Sequence, residues 1–260
     1  MLTRKQLKQL RSLRSKKQRS AQGQFLAEGE TIVDEILVGM PAELQWLLCS
    51  AEYEQRLSAE RRSQLGDRLV CCDAKTLAAV SALSTPSPVL AVLHMPQPAS
   101  GVLDSVSSLA LYLDGIRDPG NLGTILRAAD WFGVSRIYLS DDCVDLYNPK
   151  VIQASMGAFL RVTVAVGSLL AIRAAQPELE IAGARVQGGS DALRYAWPRD
   201  TLLVIGSESH GIRSENEAAI SQWLTIPRGP HASGSESLNA AMATGILCAS
   251  YVAWPQGPSE

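Results

Sequence analysis

The chain has 260 residues, 46% of them hydrophobic and 19% charged, a balance that excludes disordered, collagenous and fibrous classes and gives room for two small domains, each with its own core. No apolar run approaches the roughly 18 residues of a spanning helix, and MLTRKQLKQLRSLRSKKQRS lacks a secretory apolar core, so a cytoplasmic protein with no membrane partner is expected. The net charge of −2 hides an asymmetry: eight basic residues and no acidic one precede Glu28, leaving 16 basic against 26 acidic side chains in the remainder.

That opening arm reads as an amphipathic helix with Leu7, Leu10 and Leu13 on its buried side. Arg4, Lys5, Arg14, Lys16, Lys17 and Arg19 are its candidate phosphate contacts, because clustered cations bind a polyanion by releasing its condensed counterions. A plain solvated helix face would give the same pattern and is compatible with it; the lack of balancing acids favours a nucleic-acid partner. Next, TIVDEIL predicts a helix, LQWLLCS a strand, YEQRLSAERRSQL one polar-faced helix, RLVCCD a strand, AKTLAAVSAL a helix and VLAVLHM a strand. This is a small α/β domain over residues 1–98, and the breaker-rich MPQPASGVLDSVSS places a boundary near Ser100.

A second α/β domain is expected over 108–260, with strands at SLALYLDG, RIYLS, RVTVAV, EIAGARV, TLLVIGSE and LTIPR. Continuous apolar strands separated by helices indicate a largely parallel sheet covered on both faces, with ligands at its carboxyl edge. The last helix carries Leu238, Ala241, Met242, Gly245, Ile246 and Ala249 at helical spacing, which predicts its buried stripe. The five cysteines form no C-x-x-C pair and read as reduced core residues. His94, His210 and His231 are too scattered for a metal-ligand set, so no metal is expected.

Three segments sit where such a sheet binds ligands. In LDGIRDPGNLGTILRAADWFGV, Asp118, Pro119 and Gly120 make a turn, Asn121 is positioned to cap the next helix, and Leu122, Ile125, Ala129 and Phe132 form its buried face. Arg127 lies one turn beyond Gly123 and projects over it. In LLVIGSESHGI a buried strand ends at a turn from Gly206 through Ser207 and Glu208 to Gly211, whose backbone N–H groups suit an anion or an adenosine edge. In LTIPRGPHASGSESLNAAMATGIL a glycine-rich loop leads to Ser237 and Asn239 at a helix start. Taken singly, each reads as ordinary punctuation of an α/β fold.

Together and in this order, they resemble the three motifs of the SpoU/TrmH methyltransferases: N-x-G-x-x-x-R (Asn121, Gly123, Arg127), G-S-E-x-x-G (Gly206 to Gly211), and I-P followed by S-L-N (Ile226, Pro227; Ser237 to Asn239). NPKVIQASMGAFLRV is also similar to the family, and FLAEGETIVDEIL resembles the start of its L30e-like substrate-binding domain. Two departures are visible. Ser209 stands where glycine usually follows the glutamate, and the stretch from Ile226 to Ser237 is longer than usual.

The resemblance implies a SPOUT domain with a deep trefoil knot, a homodimer, and S-adenosylmethionine held by the knot loops. It implies methylation of a ribose 2′-hydroxyl in structured RNA. The likeness is strongest to members acting on ribosomal RNA, which ranks rRNA above transfer RNA; a catalytically inactive RNA-binding protein and a base methyltransferase of a related knotted family are the alternatives. Carried over by position, backbone at Gly206, Ile226 and Leu238 would hold the cofactor, with Ser207, Gly211 and the loop around Ala184 to Gly189 contributing. Arg127 would be catalytic; a guanidinium with a pKa above about 12 is a poor base, so electrostatic stabilisation of the oxyanion and phosphate positioning is its expected role. Asn121, Glu208, Ser237 and Asn239 would orient the ribose, the arginine and the pocket.

Overall fold

A computed structural model describes residues 2–96, 106–231 and 233–255. The boundary expected near Ser100 lies outside them. The chain forms two compact units, and the first is discontinuous: the N-terminal residues are joined by Asp145–Leu160, while the second takes the chain up to Val144 and again from Arg161. The contiguous split at 98 and 108 therefore differs from the packing, since Tyr147 and Phe159 pack on Phe25, tilted and edge-on, with ring centroids 4.6 and 6.2 Å away.

The first unit opens with α1 (Arg4–Ser12) and α2 (Lys16–Gln22), two helices where the sequence suggests one. The break is stabilised from behind. Arg19 Nη1 donates to the carbonyls of Leu13 and Arg14 at 2.9 and 3.0 Å, groups that lose helical partners at the break. There follow β1 (Gln24–Glu28), α3 (Glu30–Gly39), β2 (Leu44–Cys49), α4 (Ala51–Arg56), α5 (Ala59–Leu65), β3 (Leu69–Cys71), α6 (Ala74–Val80) and β4 (Val89–His94). The polar-faced helix expected over 53–65 is also two, because Ser58 caps α5 by accepting from the Arg61 amide.

The sheet runs β1-β4-β2-β3, with β4 antiparallel to both neighbours and β2 parallel to β3. Strand β1 is absent from the sequence reading. Its apolar run is short and ends in a buried acid, Glu28, which is held by the Ser81 hydroxyl at 2.5 Å and the Ala82 amide at 2.6 Å. Leu10 and Leu13 are fully buried with Leu26, Leu48, Leu90 and Val92, and Leu7 packs on the cluster, so the basic arm is part of this core. Of the cysteines, Cys49, Cys143 and Cys248 are buried; Cys71 is exposed and Cys72 half-buried, which corrects the core reading for that pair.

The second half continues with β5 (Leu109–Asp114), α7 (Pro119–Trp131), β6 (Arg136–Leu139), α8 (Pro149–Ser155, in the first unit), β7 (Thr163–Val166), α9 (Leu169–Ala175), β8 (Glu180–Ala184), β9 (Ser190–Asp191), β10 (Thr201–Gly206), α10 (Ser214–Glu217), β11 (Gln222–Thr225) and α11 (Ala240–Ala253). Its seven strands order as β7-β6-β5-β10-β8-β11-β9, every pairing parallel. Asp114 of β5 lies in register with Gly206 of β10, so the loops after β5, β8, β10 and β11 gather at one carboxyl edge. None of the described helices is long and apolar enough to cross a membrane.

Two helix readings change. The cap of α7 is Asp118, whose carboxylate accepts from the Asn121 amide at 2.9 Å; Pro119 is then the first helical residue, where its missing N–H costs nothing. The buried face of α7 takes in Leu126, and Phe132 is only half-buried. In α11 the inward residues are Ala240, Ala241, Thr244, Leu247, Cys248 and Tyr251, whereas Met242 is 58% exposed. The stripe is rotated because the helix is apolar around most of its circumference. Thr244 can face inward because its hydroxyl donates to the Ala240 carbonyl at 2.8 Å.

Candidate active site

The turn after β10 is built on a glycine against which the returning backbone packs too closely for a side chain. A Cβ at Gly206 would stand 2.1 Å from the Gly211 carbonyl carbon and 2.2 Å from the Ile212 nitrogen, so the loop folds back onto a bare backbone. Ser207 and Gly211 close it with two reciprocal backbone hydrogen bonds of 3.0 and 2.8 Å, and Gly211 adopts φ +68°. The returning chain then supports β5: Asp114, fully buried, accepts from the Arg213 amide (2.8 Å), Arg213 Nε (2.6 Å) and Asn216 Nδ2 (2.9 Å). A buried carboxylate is tolerated there because three donors and one cation replace its water.

At the tip of this loop, Glu208 gathers residues far apart in sequence. Its Oε1 accepts from Asn239 Nδ2 at 2.6 Å, from Asn121 Nδ2 at 3.0 Å and from the Ala240 amide at 3.3 Å, and Asn239 Nδ2 also reaches Asn121 Oδ1 at 2.8 Å. Asn239 is at the same time the N-cap of α11, accepting from the Ala241 and Met242 amides. Three of the five residues assigned to catalysis thus form one hydrogen-bonded cluster.

Two cavities flank the cluster. The larger, about 540 Å³, lies at the carboxyl edge and is lined by all six residues expected to hold a cofactor: Ala184, Gly206, Ser207, Gly211, Ile226 and Leu238. Ser237 and Glu208 border it too. Arg127 lines neither cavity; it stands exposed on the outer face of α7, four residues before Trp131, which is 84% exposed. Arg185, within the loop from Ala184 to Gly189, lines the larger cavity as well; motif spacing did not reveal Trp223, Glu217 and Arg228, which also line it. The Arg185 guanidinium sits 4.7 Å over the Trp223 ring, a cation–π contact between adjacent strand ends. The signal available for Trp223 was Gly183: a Cβ there would meet its ring at 2.9 Å.

The arm divides the RNA-contact candidates. Arg4, Lys5, Lys16 and Lys17 are exposed. Arg19 is not: it is 2% exposed and pairs with Asp145 at 2.5 Å, so its assignment as an RNA contact is corrected to a structural role. The Arg14 guanidinium donates to the carbonyls of Ala79 and Ser81, which ties it to the end of α6. Among the described residues no group of three or more His, Cys, Asp or Glu could hold a metal ion.

Residues 108–249 match the family model described as the SpoU rRNA methylase family, and residues 4–91 match an MRM3-like substrate-binding domain. The chain belongs to the SpoU rRNA methylase family. Its similarity extends over both parts: the structure of a putative RNA methyltransferase of the TrmH family from Porphyromonas gingivalis is 36% identical with a TM-score of 0.82, over 96% of this chain and 98% of that one. An AdoMet-bound rRNA methyltransferase from Sinorhizobium meliloti is 25% identical with a TM-score of 0.81, over 96% and 95%. RlmP of Bacillus subtilis, a 23S rRNA (guanosine-2′-O)-methyltransferase, is 28% identical over 243 residues, 93% of each chain. In SpoU terms, the Glu208 cluster joins all three motifs, and the larger cavity opens between the second and third.

Proposed function

We propose that this protein methylates a ribose 2′-hydroxyl of ribosomal RNA with S-adenosylmethionine as donor. The observation that carries the reading is the convergence of the Asn121 and Asn239 side-chain amides on one oxygen of Glu208, beside a cavity lined by all six residues assigned to the cofactor.

The cavity fits that cofactor. Its volume of about 540 Å³ falls in the roughly 300–1,000 Å³ range of small-molecule sites. Gly206 and Gly211 let a ligand approach the backbone closely, Ile226, Leu238 and Leu247 offer apolar walls, and the carboxylates of Glu208, Glu217 and Glu236 suit a cationic sulfonium. S-adenosylmethionine held there would supply an electrophilic methyl for the ribose oxygen, with the carbon–sulfur bond breaking as the carbon–oxygen bond forms and the hydroxyl proton leaving to solvent. The protein's residues position and polarise. The Glu208 cluster fixes the loop and the start of α11, Ser237 borders the cofactor, and Arg127 stabilises the developing oxyanion and its phosphate.

Since Arg127 stands outside both cavities, it acts once RNA is in place or from a neighbouring subunit. We infer a homodimer through the face that carries it: Trp131 on α7 and Met242 and Val252 on α11 are 84%, 58% and 54% exposed on two helices packed together. A deep knot formed by the loops after β10 and β11 belongs to the same reading. The N-terminal unit serves as an L30e-like RNA-binding domain, with Arg4, Lys5, Lys16 and Lys17 as its phosphate contacts.

The test uses the full chain, labelled S-adenosylmethionine and total rRNA from cells lacking the gene. Label should map to a ribose 2′-oxygen and vanish when the target carries a 2′-deoxyribose; transfer that persists on the deoxy substrate would move the enzyme to the base-modifying class. Calorimetry in EDTA should still show cofactor binding, and Met242→Glu should sediment as a monomer.

A further inference from the structure

The smaller cavity has a different chemistry from the cofactor's. It encloses about 350 Å³, shares Ser207, Glu208 and His210 with the larger one, and has Ile116 as the sole apolar side chain of its lining. Two of its charged groups are committed to each other: Asp114 and Arg213 are joined at 2.6 Å, and the carboxylate is saturated by further donors. Arg117 and Asp142 keep bonding capacity. Arg117 Nη2 donates to Asp142 Oδ2 at 3.0 Å and Arg213 Nη1 lies 3.8 Å from Oδ1, while the Arg117 side chain is 76% exposed and has further N–H groups beyond that one bond. Ser140 donates to Asp142 Oδ1 at 2.8 Å and fixes the carboxylate; that bond, and then Arg117, hold its pKa below the ordinary carboxylate range, so it is ionised at neutral pH.

We propose that this cavity receives the base of the nucleotide being methylated, that the base is guanine, and that Arg117 and Asp142 read its edges. The inference rests on the ribose-methylation reading. A ribose whose 2′-oxygen reaches the cofactor at the shared wall of Ser207, Glu208 and His210 carries its base one glycosidic bond away, and the adjoining space is this cavity. An unstacked RNA base is recognised by hydrogen bonds along its edges. Guanine alone among the four places two acceptors, N7 and O6, next to two donors, N1–H and the 2-amino group. A guanidinium is the partner for the first pair and a carboxylate for the second. Adenine and cytosine offer the carboxylate one amino group beside an unprotonated ring nitrogen, which repels it, and uracil offers a single N–H. Arg117 and Asp142 line only the smaller cavity, so base reading is separable from cofactor binding.

The experiment uses full-length protein saturated with S-adenosylhomocysteine and the probes GMP, IMP, AMP, CMP and UMP, with binding followed by saturation-transfer NMR. GMP should bind at least about tenfold more tightly than AMP, CMP or UMP, and IMP, which lacks only the 2-amino group, should fall between. Arg117→Ala and Asp142→Asn should lose the preference while S-adenosylhomocysteine affinity stays within about twofold, which also reports that the variants are folded. GMP binding no tighter than AMP, no nucleotide binding at all, or an Arg117→Ala protein that discriminates like wild type would each overturn the proposal. If rRNA methylation proceeds normally in those cases, the ribose reading survives and only the base assignment falls; absence of any methyl transfer from wild type removes both.

Discussion

Asn239 Nδ2 lies 2.6 Å from Glu208 Oε1, a charge-assisted bond that links the second and third motifs across 31 residues of sequence. The same oxygen accepts Asn121 and the Ala240 amide. Glu208→Gln keeps the size and one acceptor, so kcat/KM should fall modestly, by about tenfold or less. Glu208→Ala leaves two asparagine amides and one backbone N–H without their acceptor and should cost more; hydrogen bonds to charged groups contribute about 1.5–3 kcal/mol. Steady-state kinetics of the pair, with cofactor affinity measured alongside, checks the order.

Gly206→Ala forces a methyl into the backbone of Gly211 and Ile212. Overpacking of this kind costs about 1–3 kcal/mol or more, and here the strain falls on the loop proposed to hold the cofactor. We expect a lowered melting temperature together with at least tenfold weaker S-adenosylmethionine binding by calorimetry.

Arg127→Lys should keep the fold and cofactor affinity, because the side chain is exposed and lines neither cavity. It should lose most turnover, since lysine keeps the charge but lacks the planar fork that holds two oxygens at once. Single-turnover rates at saturating RNA isolate the chemical step, and wild-type rates there would take Arg127 out of the mechanism.

The arm gives two contrasting outcomes. Charge reversal of the exposed Lys16 and Lys17 should leave the melting temperature unchanged and flatten the log–log salt dependence of RNA binding by roughly 1.4, at about 0.7 per single-strand phosphate contact. Arg19→Met should instead unfold the protein at lower temperature, because removing one partner of a buried pair costs about 3–5 kcal/mol.

Thiol chemistry reports the packing directly. Burial pushes the Cys49 and Cys248 thiols up to about 12, so neither should react with a maleimide in native protein at neutral pH. The exposed Cys71 should react first but slowly, since a hydrogen bond to Glu54 and then partial burial raise its pKa too. Mass spectrometry of timed aliquots gives the order.

How far the sequence could be read depended on what each residue signalled. The parallel sheet was legible because Leu109 to Leu113 and Leu202 to Ile205 are continuous apolar runs, as strands covered on both faces need. The lining of the larger cavity was legible because its glycines and motif residues lie at fixed offsets. Strand β1 escaped because Glu28 at its end looks solvent-facing, and only Ser81 and Ala82, more than fifty residues away, make its burial tolerable. The facing of α11 escaped because an apolar helix with small residues has no polar side to set its rotation. Arg19 was indistinguishable from its neighbours in a basic run until Asp145 supplied a partner.

That ion pair bears on the order of events during synthesis. Arg19 and Asp145 are 126 residues apart, and at roughly 5–20 residues per second a ribosome needs about 6–25 s to make the intervening chain. By the last part of that interval, after His94 and before Asp145, all four strands of the first unit have been made, while the arginine has no carboxylate and Phe25 has neither of its aromatic neighbours. The nascent N-terminal unit therefore waits, incompletely closed, for a segment encoded within the catalytic half. Releasing it early, by a stop codon placed near residue 97, would yield a fragment that carries the substrate-binding match yet exposes Phe25 and an uncompensated cation to the chaperones that survey new chains.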